Sequence, residues 1–495
     1  MPLPLYDLTT LRRMESECKA ALPAGALMQR AGNEAAALAW RSALCGFVRP
    51  QASIFAGPGD NGGDAFVVAR ALHLRGVQVT VFAAEHSSSA DAQAARSLWA
   101  AIGSIQPLSA AASIKHTHCV VDGLLGIGID KAPKGELADA ILQINRLGRS
   151  GASVISLDVP SGLNAMNGVA YLREATVVAH HTITFLGGKP GLYTAQGPDF
   201  CGQVCVATLG VTARVTNAAV TEPDDFTCVL PTRRAAQHKG DSGDLLVVGG
   251  AAGMTGAALL AGRAALATGV GRLFVALEDS RVAVDPLRPE AMLRTWRDLP
   301  DASAIACGCG LSQSSAARDV LAQIIVQAVP VLLDADALNI LASHAELQIT
   351  LRERTAPTIL TPHPLEAARL LNTDTSVIQA DRISAARALA AKLNAQVVLK
   401  GAGSIIAQPQ GQCFVNPTGN AALATGGTGD MLAGCLGALL CAGMPAWPAA
   451  LAATYVHGLA AQKAAKQVGG MSGMTSSLFL PELARLFNTL RNQYA

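Results

Sequence analysis

Short apolar runs alternate with longer amphipathic stretches along the first 210 residues of the chain. The runs are bounded by glycine or polar residues, as expected of strands buried on both faces, and the stretches between them show the apolar spacing of helices. This alternation predicts an α/β/α sandwich with a mostly parallel sheet. The predicted strands are ASIFAG, VQVTVFAA, HCVVDG and ASVISLDVP, and the predicted helices include DAFVVARALHLRG and ELADAILQINRLG.

A second series of the same kind follows a polar, glycine-containing segment at residues 212–243. Because 495 residues exceed what one hydrophobic core usually organises, we predict two α/β domains, residues 1–222 and 226–495, with the boundary near residues 222–227. The apolar run 431–453 contains two prolines and predicts two buried helices rather than a membrane span. The predicted strands of the second series are DLLVVGG, RLFVALE, SAIACG, PVLLD, PTILTP and QVVLKG.

Charge and cysteine content narrow the possible functions. The net charge is +2 and no block of like charge occurs, so neither nucleic acid nor an anionic membrane is an expected partner. Acids and bases run through the first thirty residues, which argues against a secretion signal. The eleven cysteines form no C-x-x-C pair and are expected to be reduced core thiols, and we assign no chemistry to Cys307 and Cys309 at their glycine turn. The chain is predicted to be soluble and cytoplasmic.

The loop after the first predicted strand permits two interpretations. Residues 57–62 satisfy G-x-G-x-x-G, and Glu85 closes the next strand roughly where a ribose-binding acid would lie, which is typical of dinucleotide binding. Asp60 and Asp64 lie inside this loop, however, and would repel a pyrophosphate.

Oxygen-bearing side chains recur at the neighbouring strand ends and favour a cation site instead. Asn61, Asp122, Asp158 and Ser161 join Asp60 and Asp64 there, and such oxygens are suitable ligands for a monovalent or divalent cation. The alternative is that Asp64 and Ser161 only cap helices.

Two further interpretations have little support. A hydrolase triad of Ser161, Asp158 and His180 or His181 lacks the G-x-S-x-G elbow. Lys189 does not belong to a Walker A loop, because the first glycine of that motif is isoleucine here and the residue after the lysine is proline.

The motifs GPGDNGGDAFVVAR, VDGLLGIGID and LDVPSGLN together closely resemble the N-terminal epimerase domain of the bifunctional NAD(P)HX epimerase/dehydratases, which repair hydrated nicotinamide nucleotides. The resemblance covers roughly residues 8–210 and implies interconversion of the R and S epimers at C6 of hydrated NADH and NADPH, called NADHX and NADPHX. Asp158 is then the candidate for proton transfer at the C6 carbinol, within a Rossmann-like fold. The sequence departs from the family pattern at Asp60, Ala65 and Ile127, where Asn, Gly and Thr are common. The resemblance implies a potassium ion at Asn61, Asp122 and Ser161, and substrate contacts at Asp60, Asn61, Gly62, Gly63, Asp64, Gly126, Ile127, Gly128, Ile129, Asp130, Lys131, Ala132 and Asp158.

The stretch GGTGD at residues 426–430 comes directly before the apolar run of the second half. A glycine loop at a helix start exposes backbone N–H groups at the positive end of the helix dipole, which suits a phosphate. Asp430 would repel that phosphate unless it takes a proton from a hydroxyl beside it.

The second half, over roughly residues 226–492, resembles the ADP- or ATP-dependent dehydratase domain of the same enzymes, which has a ribokinase-like fold. HKGDSGDLLVVGG, LDADALN, TPHPLEA, VVLKGAGS and GNAALATGGTGDMLAG carry this resemblance. This half of the sequence departs from the family pattern at Leu365, where Gly is usual, and at residues 421–422, where Ala-Ala replaces Pro-Gly. His363 could alternatively only brace its turn. The resemblance implies catalysis by Asp430, contacts to the hydrated cofactor from Ala261, Gly310, His363 and Asp430, and nucleotide contacts from Lys400, Gly401, Ala402, Gly403, Ser404 and Gly429.

The two resemblances together predict a metabolite-repair enzyme. Phosphorylating the hydroxyl of the S epimer makes it a good leaving group, so a kinase-like site can dehydrate the ring, using ADP (giving AMP and phosphate) or alternatively ATP. We expect Mg²⁺ with the nucleotide and a homo-oligomer. The alternative is a small-molecule kinase of the ribokinase superfamily with a non-catalytic N-terminal nucleotide-binding module; the retained cation residues favour repair.

Overall fold

The structure, a computed structural model, describes residues 2–278 and 281–493. The chain divides into two compact units, an N-terminal unit Leu3–Thr216 and a C-terminal unit from Asn217 onward. The division lies a few residues before the boundary that the sequence predicts. The reason is that residues Ala218–Val220 form an edge strand of the C-terminal sheet, a short segment that carries no distinctive pattern of its own.

The N-terminal unit is built on a seven-stranded sheet in which every described pairing is parallel. The strand order is β3-β2-β1-β4-β5-β6-β7, the doubly wound order of Rossmann-like folds extended by one strand. The strands are β1 (Gln51–Ala56), β2 (Gln78–Ala83), β3 (Ile105–Pro107), β4 (Cys119–Gly123), β5 (Ser153–Leu157), β6 (His181–Phe185) and β7 (Gln203–Ala207). The helices are α1 (Leu8–Ala21), α2 (Ala26–Ala39), α3 (Asp60–His73), α4 (Ala90–Ala100), α5 (Glu136–Arg149) and the short α6 (Gly197–Phe200).

The order of the strands reverses between β1 and β4, and this reversal opens a crevice at their carboxyl ends. Helix α3 begins at Asp60, four residues before the predicted helical stretch. Asp60, Asn61 and Asp64 therefore lie in the first turns of a helix rather than in a loop.

The C-terminal unit has a ten-stranded sheet with the order β11-β10-β9-β12-β13-β14-β15-β16-β17-β8. Its pairings are parallel except for β15–β16 and β16–β17, which form an antiparallel meander. The strands are β8 (Ala218–Val220), β9 (Asp244–Gly249), β10 (Arg272–Leu277), β11 (Met292–Thr295), β12 (Ala304–Cys307), β13 (Val331–Leu333), β14 (Thr358–Leu360), β15 (Gln396–Leu399), β16 (Ile405–Ala407) and β17 (Cys413–Val415). The helices are α7 (Thr255–Thr268), α8 (Ser315–Ile325), α9 (Ala335–Ser343), α10 (Ala345–Arg352), α11 (Pro364–Leu371), α12 (Thr375–Ala380), α13 (Arg382–Leu393), α14 (Thr428–Cys441), α15 (Ala446–Val468) and α16 (Leu480–Gln493).

Helices α14 and α15 confirm the prediction of two buried helices in the apolar run of the second half. From Met431 to Cys441 every residue of α14 is buried, because this helix packs between the sheet and helix α7. A side chain at Gly434 would overlap the Ala261 carbonyl oxygen, so α7 and α14 meet backbone to backbone. Among the described helices, none combines the length and the apolar character that crossing a membrane requires.

Candidate functional sites

A cavity of about 750 Å³ opens in the N-terminal unit at the carboxyl ends of β1, β4, β5 and β6. Helices α1 and α2 contribute apolar side chains to its wall, and α1, the start of α3 and the strand-end segments contribute the polar ones. Gly62 and Gly63 are buried within α3 rather than lining the cavity wall. The predicted residues that do line the cavity are Asp60, Asn61, Asp64, Gly126, Ile127, Gly128, Ile129, Asp130, Lys131, Ala132 and Asp158.

Asp122 and Ser161 are hydrogen-bonded in a buried polar cluster, and Asn61 joins them through the Leu125 carbonyl oxygen that it shares with Ser161. The Ser161 hydroxyl donates to Asp122 Oδ1 over 2.6 Å, and the Ser161 backbone N–H donates to Oδ2 over 3.0 Å. Asn61 Nδ2 donates to the Leu125 and Leu157 carbonyl oxygens, whereas Asn61 Oδ1 is buried and has no hydrogen-bond partner among the described residues. Burial raises the pKa of Asp122, although these hydrogen bonds oppose that effect. An unsatisfied buried amide oxygen and a buried carboxylate are oxygen donors of the kind that fit a cation.

Asp60 and Asp64 have different environments although both lie at the start of α3. Asp60 accepts a short hydrogen bond from Ser89 and forms an ion pair with Lys19 of α1 over 3.1 Å. Burial opposes its charge, but these partners outweigh burial and lower the pKa of Asp60. Burial, reinforced by the negative charge of Asp158, raises the pKa of Asp64 well above its usual range. The extra carboxylate at position 60 is therefore neutralised by Lys19.

Asp158 follows β5 with a left-handed backbone conformation (φ 65°) and forms an ion pair with Lys189. Asp158 Oδ1 lies 2.7 Å from Lys189 Nζ, and Lys189 is only 1% exposed. Sequence reasoning excluded Lys189 from a phosphate loop and gave it no other role. The two residues are 31 positions apart, and only the adjacent, parallel strands β5 and β6 bring them together.

The weaker interpretations of this unit find no support in the geometry. The Glu85 side chain is 88% exposed, and it is not part of the cavity wall. His180 Nδ1 accepts a hydrogen bond from the Val154 backbone N–H, while Ser161 bonds to Asp122, so the proposed hydrolase triad is not assembled. A side chain at Gly57 would overlap the Leu124 carbonyl oxygen, which accounts for this glycine by backbone packing rather than by pyrophosphate binding.

In the C-terminal unit, the glycine turn before α14 is held by side-chain hydrogen bonds. Gly427 has a left-handed conformation (φ 89°), and a side chain there would lie 2.6 Å from Leu260. Thr428 Oγ1 donates to the Leu423 and Thr425 carbonyl oxygens, and Ser476 Oγ donates to the Gly426 carbonyl oxygen. These bonds fix the backbone N–H groups at the start of a helix whose interior is buried.

Asp430, in the first turn of α14, lies among polar and charged groups from three strand ends. One ligand atom each of Cys309, Asp334 and Asp430 lie within 4.8 Å of one another, and Lys400 Nζ is 2.6 Å from Asp334 Oδ1. Burial, followed by the charge of Asp334, raises the pKa of Asp430. Burial opposes the charge of Lys400, but Asp334 and then Glu366 outweigh burial and raise its pKa. A Cβ at Gly429 would lie 3.4 Å from Lys400 Nζ, so the lysine borders the glycine turn.

Cys309 is a site neighbour to which sequence reasoning assigned no chemistry. Its thiol is buried at the glycine turn after β12 and hydrogen-bonds to Asp430. Burial, with the nearby Asp430 and Asp334 charges, raises its pKa well above the usual range, which keeps the sulfur in the thiol form.

His363 caps α11, and its partner Glu366 is a second residue that sequence reasoning missed. His363 Nδ1 accepts from the Leu365 and Glu366 backbone N–H groups, and Glu366 Oε2 accepts from the His363 N–H over 2.7 Å. Burial raises the pKa of Glu366 to about 7, while burial and Lys400 lower the pKa of His363. Bracing of the turn, the alternative that the sequence left open, is thus part of the role of His363.

The remaining predicted residues of this unit are distributed around the same strand ends. Lys400 and the segment 401–404 follow β15, and Gly310 follows β12 beside Met254. Ala261 is fully buried between α7 and α14 and is not brought to the surface of the site.

The family departures are accommodated without strain. Ala421 and Ala422 form a short 3₁₀ turn without positive φ, and Leu365 is 45% exposed in the first turn of α11. Ala65 is buried against Gly123 in the N-terminal unit, and Ile127 lines the cavity there.

Comparison with known proteins finds two family models, one matching within each unit. Residues 24–191 match the family model described as YjeF-related protein N-terminus, and residues 245–484 match the model described as NAD(P)H-hydrate dehydratase. The chain is 34% identical to the bifunctional NAD(P)H-hydrate repair enzyme Nnr of Coxiella burnetii over 98% of this chain and 99% of that protein. It is 35% identical to the enzyme of the same name from Escherichia coli K12, over 93% of this chain and 89% of that one.

Two partial relatives match the C-terminal unit. The ADP-dependent (S)-NAD(P)H-hydrate dehydratase of Neisseria meningitidis is 42% identical over 54% of this chain and 91% of its own. A solved structure of the ADP/ATP-dependent NAD(P)H-hydrate dehydratase from Bacillus subtilis is 33% identical, covers 55% of this chain and 98% of its own, and has a TM-score of 0.47. The full-length matches favour repair over the kinase alternative. The chain belongs to the family of bifunctional NAD(P)H-hydrate repair enzymes.

Proposed function

We propose that the N-terminal unit interconverts the R and S epimers of NADHX and NADPHX and that the C-terminal unit dehydrates the S epimer to NADH or NADPH. The observation that carries this proposal is the placement of one aspartate in each unit. Asp158 lines a cavity large enough for a nucleotide ligand, and Asp430 stands at a glycine turn beside Lys400. Each aspartate is suited to take a proton from the same C6 hydroxyl, in two different reactions.

In the N-terminal unit, Asp158 would accept the proton of the C6 carbinol while the cavity wall holds the ring. Asn61, Asp122 and Ser161 would hold a potassium ion, because Asn61 Oδ1 is buried without a described partner and Asp122 is a buried carboxylate. A bound potassium ion supplies positive charge that keeps Asp122 ionised. It would connect the first turn of α3, which carries Asn61, the end of β4, which carries Asp122, and the segment after β5, which carries Ser161.

In the C-terminal unit, Asp430 would take the C6 hydroxyl proton as the hydroxyl oxygen attacks the terminal phosphate of the nucleotide. The N–H groups of the glycine turn and Lys400 stabilise the negative charge that spreads over the transferred phosphoryl group. Phosphate then leaves C6 as the N1 electron pair forms an N1=C6 bond, and loss of the C5 proton to the released phosphate or to water restores the C5–C6 double bond. Gly429 and the segment 400–404 would contact the nucleotide, and Gly310 and His363 the hydrated cofactor. Ala261, which is fully buried, would not reach the cofactor directly.

We propose ADP as the phosphoryl donor, giving AMP and phosphate. The support is the Neisseria meningitidis relative, whose name specifies ADP dependence and which is 42% identical over 54% of this chain. Mg²⁺ would accompany the nucleotide, and the carboxylates of Asp334 and Asp430 fit such an ion because they offer oxygen donors. A homo-oligomeric state and a cytoplasmic location stay predictions.

The division of labour is tested by two single variants of the full chain. Asp430→Asn should abolish dehydration of the S epimer and leave epimerisation at the wild-type rate, and Asp158→Asn should do the reverse. Epimerisation is measured by chromatography of the R and S forms without nucleotide, and dehydration by the absorbance of the dihydronicotinamide product. A folded variant that loses both activities would contradict the assignment of one reaction to each unit.

A further inference from the structure

The buried ammonium group of Lys189 has a full set of hydrogen-bond acceptors. Its Nζ lies 2.7 Å from Thr184 Oγ1, 3.0 Å from the Phe185 carbonyl oxygen and 2.7 Å from Asp158 Oδ1. An ammonium group has three N–H donors, and these three contacts use all of them, with the Gly187 carbonyl oxygen as a more distant acceptor at 3.5 Å. Lys189 therefore has no proton left to share with a ligand, although its side chain forms part of the cavity wall.

Burying a lysine at this position is costly unless its charge is paired. Removing an ammonium ion from water costs several kcal/mol. Only a close counter-ion together with good hydrogen bonds offsets this cost. Asp158 is the only described residue that forms an ion pair with Lys189. Such a costly arrangement at the cavity wall points to a role in the site, because an apolar side chain would pack there more cheaply.

The pairing determines which oxygen of Asp158 remains available. Oδ1 faces Lys189 Nζ, the Phe185 N–H at 3.3 Å and the Thr184 hydroxyl at 3.4 Å. Oδ2 turns the other way, and a Cβ built on Gly126 would lie 3.6 Å from Oδ2 and 3.6 Å from Asn61 Cγ. The free oxygen thus points toward the wall segment that begins at Gly126, next to the polar cluster.

Asp64 provides a contrast within the same cavity. It lies in the first turns of α3, and no described cation is within ion-pair distance of its carboxyl group. The other charged side chains lining the cavity come from α1, α3 and the segment after β4: Glu15, Lys19, Asp60, Asp130, Lys131 and Lys134. Of the aspartates in this wall, Asp158 is the one held by a fully engaged, buried lysine.

We propose that Lys189 is a positioning residue for epimerisation, which holds Asp158 through Oδ1 so that Oδ2 faces the C6 hydroxyl of the hydrated nicotinamide. This inference rests on the proposed function of the N-terminal unit. The C6 hydroxyl proton moves to Oδ2, the C6=O bond forms as the C6–N1 bond breaks, and the released electron pair passes to N1 and its conjugated carboxamide. Closure of N1 on the other face of the carbonyl reverses these changes and returns the proton to the oxygen.

The test compares Lys189→Ala with Lys115→Ala, an exposed lysine of the same unit, in the full chain. Because a misplaced base loses about 10²-fold in rate, the kcat for epimerisation of Lys189→Ala should fall by about that factor while KM changes by less than about threefold. Ethylammonium, which can enter the cavity and restore the missing charge, should raise the kcat of Lys189→Ala at least about tenfold. Lys115→Ala should behave as wild type. An unchanged kcat, or a loss that ethylammonium does not restore, would overturn the proposal.

A milder variant keeps the test decisive if Lys189→Ala does not fold. Thr184→Val removes one of the three acceptors of Lys189 at nearly constant volume, and we expect a several-fold lower kcat with unchanged KM. A wild-type kcat for this variant would count against the proposal. If Asp158→Asn still epimerises the substrate, the proposed function itself fails; if that variant is inactive but Lys189→Ala keeps its kcat, only this inference fails.

Discussion

Replacing Glu366 by glutamine should remove a pH-dependent loss of stability from the C-terminal unit. Glu366 is 4% exposed, and one of its oxygens accepts from the His363 backbone N–H over 2.7 Å. A glutamine side-chain oxygen can accept the same hydrogen bond, so the cap of α11 is retained. The substitution removes the free-energy cost that wild type has for ionising a buried carboxyl group near the negative charge of Asp334.

The magnitude follows from the pKa of the buried carboxyl group. Burial raises the pKa of Glu366 from 4.5 to about 7 in the folded chain. The folded state therefore holds a proton that the unfolded state has already lost, and stability falls as the pH rises from about 4.5 to about 7. At about 1.4 kcal/mol per pH unit, the full loss is about 3 kcal/mol. For a unit of this size this energy corresponds to a change in Tm of about 6 °C.

The assay is calorimetric unfolding of the full chain at pH 5 and pH 8. The Tm of Glu366→Gln minus the Tm of wild type should be about 6 °C larger at pH 8 than at pH 5. Glu346→Gln, which changes an exposed glutamate on α10, is the matched control and should show a nearly constant difference. A change below about 1 °C for Glu366→Gln would refute the argument, because the carboxyl group would then ionise in the folded chain without cost.

Three further predictions concern both units. Gly429→Val should abolish nucleotide binding, measured by calorimetric titration of ADP, whereas Gly429→Ala should retain more of it, since a Cβ there meets Lys400 Nζ only at 3.4 Å. Burial lowers the pKa of His457 from 6.5 to about 4, so wild type should lose about 3 kcal/mol of stability as the pH falls from about 6.5 to about 4. His457→Leu should not show that loss in thermal unfolding across this pH range. Epimerisation should require potassium, and Asn61→Leu should abolish the potassium-dependent increase in Tm; an increase equal to that of wild type would contradict the ion site.

Most of the fold could be predicted from local sequence patterns. Strands buried on both faces of a parallel sheet appear as continuous apolar runs, and β1, β2, β4 and β5 lie where the sequence predicts them. The edge strands β3 and β8 and the inner strand β17 were not predicted, because each has only three residues and depends on a partner that is distant in sequence.

The sequence revealed the loops of each site better than the contacts within it. Asn61, Asp122 and Ser161 were predicted to lie together because parallel strands end at the same edge of a sheet. Ser161 bonds to Asp122, and Asn61 and Ser161 both bond to the Leu125 carbonyl oxygen, whereas the ion that they were predicted to hold stays a prediction. The sequence did not identify Lys189, Cys309 and Glu366 as site residues. Each is part of a site because of the residue that it contacts in the fold, and none belongs to a sequence motif that would mark it. Lys189 belongs to no known phosphate loop, and only the pairing of β5 with β6 shows that its charge is directed at Asp158.

The most direct test of the two-activity account is to follow the return of dihydronicotinamide absorbance when the full chain meets a mixture of both NADHX epimers, with potassium, Mg²⁺ and either ADP or ATP. The account predicts that ADP supports complete conversion of both epimers, at a rate for the R form that exceeds spontaneous epimerisation. Consumption of the S form alone would contradict the assignment of the N-terminal unit. The absence of any product with either nucleotide would contradict the account as a whole.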